Sequence, residues 1–210
     1  MKGGQMRNWA LIMVDVQNDF CPGGSLAITD GDQVVHPLNL ISAAAAMRNC
    51  PILASRDWHP RVTKHFQTYG GIWPVHCVQG TFGAEFHKEL NVKRGIVNAT
   101  VVSKGMDPNK DDYSAFDGIA EDGRNVFRCL WYAGVETVLI GGLATDYCVK
   151  ATALDARKNG FRVVLLTDAC RAVNLQPDDG QKAIEEMAAA GVKFKTVKEV
   201  QDELDHQLAS

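Results

Sequence analysis

Four kinds of reactive side chain stand just beyond apolar runs of strand length in this sequence. They are a carboxylate, Asp15; an Asp-x-His pair, Asp57 and His59; an ammonium, Lys104; and a thiol, Cys148. Cys148 falls near the start of an expected helix, Thr145 to Asn159, where unpaired N–H groups and the helix dipole favour a thiolate. The same N–H groups can receive an oxyanion. Lys104 would add positive charge beside the thiol, and Asp15 could take its proton. Taken singly, Asp15 and Lys104 read rather as a structural ion pair and Cys148 as buried packing. Their common position beyond strand ends favours a nucleophile with its base. Thr145 and Asp146 are candidate caps for the cysteine helix.

A second cluster has the character of a metal site. Asp57, His59, His65 and His76 put one carboxylate and three imidazoles within a 20-residue span. Such a mixed N/O set suits one divalent ion, Zn, Fe or Mn, with positions left open. These three are half of the chain's 6 histidines. They fall in an aperiodic stretch from Arg56 to Gly83, and a loop of that length in a compact domain is usually functional. His36, His87 and His206 are expected on helices or their edges, at the surface.

The elements that must position these groups follow from hydrophobic patterning. Strands are expected at Trp9 to Val14, Pro51 to Ala54, Val97 to Val102, Thr137 to Ile140 and Phe161 to Leu166, with a weaker one at Val192 to Phe194. Helical patterns lie between them: a segment containing Ala43 to Met47, then Asp122 to Ala133, Thr145 to Asn159 and Pro177 to Ala190. Gly160 and Gly191 are expected as left-handed C-caps. The alternation predicts an α/β fold, a doubly wound, mainly parallel sheet with helices on both faces. In such sheets ligands bind beyond the carboxyl ends of the strands, the edge on which Asp15, Asp57, Lys104 and Cys148 fall.

A length of 210 residues fits a single domain over 1–210. Apolar residues at 46 % suffice for a core, and a net charge of −3 gives no footprint for nucleic acid or an anionic membrane. No apolar run approaches the roughly 20 residues of a membrane span. The stretch Met1 to Asn8 lacks a signal-peptide core, so a cytoplasmic location is expected. The 6 cysteines are scattered without a C-x-x-C pair, which points away from disulfides and zinc knuckles. Cys77 and Cys170 read as buried packing.

Several segments together carry a resemblance: D-V-Q-N-D-F at 15–20, S-R-D-W-H-P at 55–60, W-P-V-H-C-V-Q-G at 73–80, S-K-G at 103–105, G-L-A-T-D-Y-C-V-K-A-T-A-L-D-A at 142–156 and T-D-A-C-R-A-V at 167–173. The chain resembles the nicotinamidases of the isochorismatase-like cysteine hydrolase superfamily. The resemblance implies hydrolysis of nicotinamide to nicotinate and ammonia through a thioester, a reaction of NAD salvage, with pyrazinamide as a further substrate. It implies a triad of Asp15, Lys104 and Cys148, and a metal held by Asp57, His59 and His76, with His65 where some members place a fourth protein ligand. It further implies an aromatic slot of Phe20, Trp73 and Tyr113, a cis peptide before Ala144, and an oxyanion hole from the N–H groups of Ala144 and Cys148. It leaves a homo-oligomer open. Competing readings are a metal-independent amidase of the same superfamily, a metallohydrolase in which Cys148 is incidental, and a non-catalytic binding protein.

Overall fold

Alternate residues of the first strand feed two different cores. Trp9, Leu11 and Met13 pack into one apolar cluster, and Ala10, Ile12 and Val14 into the other. A strand buried on both faces belongs at the centre of a sheet covered by helices on each side. The computed structural model describes residues 8–208, so most of the stretch Met1 to Asn8 lies outside the described residues.

The strands are β1 (Trp9–Val14), β2 (Ile52–Asp57), β3 (Lys93–Arg94), β4 (Val97–Asn98), β5 (Thr100–Lys104), β6 (Ile119–Ala120), β7 (Thr137–Leu143), β8 (Arg162–Arg171) and β9 (Lys193–Lys195). The helices are α1 (Val35–Met47), α2 (Val126–Tyr132), α3 (Lys150–Lys158), α4 (Asp179–Ala189) and α5 (Val197–Leu208). Seven strands form one sheet in the order β6-β5-β2-β1-β7-β8-β9. All its pairings are parallel except that of β6 with β5. Helices α1 and α5 cover one face through Leu38, Ile41, Val200 and Leu204. On the other, α2, α3 and α4 bury Val126, Leu130, Ala153, Ala156 and Met187. The expected doubly wound, mainly parallel architecture is the observed one. No helix among the described residues is long and apolar enough to cross a membrane.

Several elements differ from the sequence expectation. The run Val97 to Val102 is broken, because Val97–Asn98 turns back at Gly95 onto β3 in a separate antiparallel hairpin. Only from Thr100 does the chain join the main sheet. Strands β7 and β8 run beyond the expected Ile140 and Leu166, rejoining past an irregularity as Gly142 pairs with Cys170 and Leu143 with Arg171. The expected helix from Asp122 begins only at Val126, where the Asn125 side chain accepts from Arg128 N at 2.9 Å. Gly160 and Gly191 take the left-handed C-cap conformation, with φ of 89° and 84°. His36 and His206 are exposed on α1 and α5, whereas His87 lies off any helix and is half-buried.

Candidate active site

The parallel register explains why distant residues meet. Asp57 pairs with Lys104 across β2 and β5, and Val14 pairs with both Ser55 and Gly142. The carboxyl ends of four strands are thereby level, with Asp15 one residue beyond β1. Gly142 is required by this alignment. A Cβ there would lie 2.0 Å from the carbonyl oxygen of Val14, and the residue has φ +133°.

Lys104 is the hub. Its Nζ pairs with Asp15 Oδ2 at 2.9 Å, touches Asp57 Oδ1, donates to Asp112 O at 3.2 Å and lies 3.3 Å from Cys148 Sγ. Asp15 Oδ1 accepts from Ser55 Oγ at 2.6 Å. Gln17 clamps the backbone of Asp57 at both ends, donating to its carbonyl at 2.8 Å and accepting from its N–H at 2.8 Å. Asp15, Ser55, Gln17 and Lys104 are all fully buried.

Burial sets the protonation states. It raises the Asp15 carboxyl, with the Asp57 charge adding to the effect against the pull of Lys104 and Ser55. Burial opposes the charge on Asp57 as well, yet Lys104 holds that carboxyl well below its ordinary value. Lys104, despite burial, is held well above the lysine value by Asp15 and Asp57. Burial pushes the Cys148 thiol well up against the pull of Lys104, with the Asp15 and Asp57 charges adding to the effect of burial. Burial thus opposes the thiolate that the helix start was expected to favour. Cys148 also sits in a single π-helical turn, Thr145–Val149, ahead of α3 rather than in a regular first turn. The capping expectation fails too: no side chain caps this turn, and Asp146 reaches away to accept from Val173 N at 2.9 Å and Asn174 N at 2.8 Å. The Leu143–Ala144 peptide is cis, as the resemblance implied.

The aperiodic loop folds by short-range pairing onto the strand ends. His59 bridges to Val78, which brings His76 alongside it, and Phe66 bridges to Trp73, which brings His65 inward. His59 Nδ1 meets Gly105 O at 3.0 Å, His76 Nδ1 meets Pro74 O at 2.8 Å, and His65 Nδ1 meets Asp111 Oδ1 at 2.5 Å. A neutral ring donates from only one nitrogen, so these bonds leave each Nε2 with its lone pair free. His59 Nε2 is buried with no hydrogen-bond partner. Donor atoms of the three histidines lie within 4.8 Å of one another, and Asp57 Oδ2 is 3.7 Å from His59 Nε2 and 3.8 Å from His76 Nε2. Donors about 2.1 Å from a shared tetrahedral ion sit roughly 3.4 Å apart. Three convergent lone pairs, one of them on an orphaned buried nitrogen, and a carboxylate fit a divalent cation.

These two clusters meet in one pocket of about 330 Å³. Cys148 and Ala144 line one side, Asp57, His65 and His76 another, and Phe20, Trp73 and Tyr113 also face it. His59, Asp15 and Lys104 stand behind this lining. Trp73 Nε1 donates to Tyr113 OH at 3.0 Å. Patterning did not single out Tyr147, edge-on to Trp73 at 4.7 Å, or the apolar wall of Leu26, Ile28 and Val173. Nor did it find Ser55, Gln17 or Asp111, although Gln17, Ser55 and Tyr147 lie inside the quoted motifs. Among the described residues no lysine or arginine lines the pocket.

Residues 9–199 match the Isochorismatase domain family. The nicotinamidase of Escherichia coli K12 is 40 % identical over 207 residues, covering 90 % of this chain and 94 % of its own. A pyrazinamidase of Pyrococcus horikoshii, solved in complex with zinc, superposes with a TM-score of 0.80 at 42 % identity, covering 90 % of this chain and 99 % of its own. The L. infantum PnC1, solved with nicotinate, gives a TM-score of 0.80 at 38 % identity, covering 91 % and 93 %. The chain belongs to the isochorismatase family, in the company of its nicotinamidases and pyrazinamidases.

Proposed function

We propose that this chain is a zinc-containing cysteine amidohydrolase that converts nicotinamide to nicotinate and ammonia in the cytoplasm, and that it also accepts pyrazinamide. One observation carries the reading: Cys148, with Lys104 at 3.3 Å, faces the same small pocket as the Asp57 and histidine donors. Zinc is preferred because it suits the Asp and His donors and is the ion in the P. horikoshii relative.

Asp57, His59, His65 and His76 would hold the ion, which supplies Lewis-acid chemistry and a docking point for a ring nitrogen. The pyridine ring lies among Phe20, Trp73 and Tyr113, with the carboxamide carbon toward Cys148. Asp15 takes the thiol proton as Sγ bonds to that carbon, and the oxyanion rests on the N–H groups of Ala144 and Cys148. A buried base with a raised pKa is better matched to this transfer than an ordinary carboxylate. The Lys104 ammonium stabilises the sulfur as it becomes anionic. Asp15 then passes the proton to the departing nitrogen, the C–N bond breaks and ammonia leaves a thioester. Water attacks this thioester while Asp15 accepts its proton; the C–S bond breaks, the sulfur regains a proton and nicotinate is released.

The test is ammonia release from nicotinamide by the holoenzyme and by Cys148→Ala. Turnover is expected to fall by at least about 10³-fold with metal content unchanged. Appreciable residual amidase activity would show that metal chemistry alone suffices and that the thiol is incidental. Full activity after exhaustive chelation would place the chain with metal-independent amidases instead.

A further inference from the structure

We infer that Asp111 is the positioning residue of this metal centre, fixing His65 so that its Nε2 faces the other donors; the inference rests on the reading of the cluster given above. The three imidazoles are not held alike. His59 and His76 are each tied by Nδ1 to a backbone carbonyl, that of Gly105 or Pro74, and so are oriented by main chain alone. His65 is tied to a side chain 46 residues away, the Asp111 carboxylate, at 2.5 Å. A carboxylate is a stronger acceptor than a carbonyl, and one placed behind a ligating histidine fixes its tautomer and raises its basicity.

Asp111 has no competing role. Its side chain is 59 % exposed, and among the described residues it accepts from no group other than His65. His65, by contrast, is buried, and its other ring neighbours are stacking or edge contacts, with His59 at 4.6 Å and Trp73 at 6.4 Å. Stacking restrains the ring plane but is kept when the ring flips by 180° about the Cβ–Cγ bond; the hydrogen bond from Nδ1 selects one of the two orientations. The two residues after Asp111 serve the site as well, Asp112 O accepting from Lys104 Nζ and Tyr113 OH from Trp73 Nε1. The segment is thus anchored on both sides of the pocket, and Asp111 is held in place to orient the ring.

The experiment measures zinc dissociation constants by chelator competition for the wild type, Asp111→Ala, His65→Ala and the double variant. Asp111→Ala is expected to bind zinc about 10- to 100-fold more weakly. In the His65→Ala background the same change is expected to matter by less than about twofold, because the residue acts through that ring. Asp111→Asn, which keeps the side-chain shape with a weaker acceptor, should fall between wild type and alanine. Unchanged affinity in His65→Ala would overturn the reading of His65 as a donor, and the inference with it. Weakened binding in His65→Ala with wild-type binding in Asp111→Ala would overturn the inference alone. So would an equal loss from Asp111→Ala with and without His65.

Discussion

Gly105→Ala should cripple the metal centre without replacing any proposed ligand. Gly105 follows β5 with φ +69°, and its carbonyl accepts from His59 Nδ1 at 3.0 Å. A Cβ built there falls 2.5 Å from His59 Cε1 and 2.8 Å from Nδ1. Ordinary carbon contacts begin near 3.5 Å, so the overlap is about 1 Å. The ring has little room to yield, since His65 stacks on it at 4.6 Å and Phe66 and His76 meet it edge-on at 5.4 and 5.1 Å. Left-handed alanine costs about 1 kcal/mol and overpacking roughly 1–3 kcal/mol, so a total of about 2–4 kcal/mol is expected in urea unfolding of the metal-free protein. Either His59 moves or Gly105 O does, and both disturb the orientation of a donor; zinc affinity should fall about 10- to 100-fold. Chelator competition reads the affinity, and amide hydrolysis at saturating zinc reads what remains. Wild-type zinc affinity in a folded Gly105→Ala protein would refute the assignment of His59 and its carbonyl to the centre.

Two further substitutions separate protonation from substrate binding. Ser55→Ala removes the hydroxyl that donates to Asp15 at 2.6 Å and holds its carboxyl down. Loss of a bond to a charged group, about 1.5–3 kcal/mol, corresponds to roughly one to two pH units. Because Asp15 must be deprotonated to accept the thiol proton, the acid limb of kcat/KM should move to higher pH by up to that amount; an unmoved limb would remove Asp15 as the base. Trp73→Phe deletes the indole N–H that donates to Tyr113 OH and leaves the ring face. KM for nicotinamide is expected to rise about 2- to 10-fold, from a hydrogen bond worth roughly 0.5–1.5 kcal/mol, with kcat nearly unchanged. A fall in kcat at constant KM would count against a binding role.

The central strands were legible because burial on both faces leaves continuous apolar runs, as in β1, where all six residues are buried. The strand-end rule then pointed to Asp15, Asp57, Lys104 and Cys148 without any knowledge of contacts. The two-residue edge strand β6 was invisible, since Ile119–Ala120 carries no period. The run at 97–102 misled because β-branched residues look alike in a hairpin and in a sheet; the break between the two falls at Ala99, whose N–H bonds to Val92 O, and no turn residue marks it. Asp111 and Ser55 could not be found from spacing, as their partners lie 46 and 40 residues away. Helix position is written in the sequence, but the depth at which Cys148 is buried beside two carboxylates is not.

Asp57 joins the two halves of the site, because its two oxygens serve different clusters. Oδ1 pairs with Lys104 Nζ and Oδ2 faces His59 and His76. A lost imidazole weakens only the metal cluster, so a large excess of zinc should restore much of the activity of His76→Ala. Asp57→Asn does more. Lys104 is left with Asp15 as its sole carboxylate, and breaking a buried pair by neutralising one partner costs about 3–5 kcal/mol. That carboxylate must then neutralise Lys104 alone and becomes a poorer base for the thiol proton. The expected result is a fall in kcat of Asp57→Asn that saturating zinc does not reverse, alongside weaker zinc binding. Full recovery of kcat with zinc would mean that Asp57 serves the metal alone, and that the coupling of ligand set to nucleophile through Lys104 is not used.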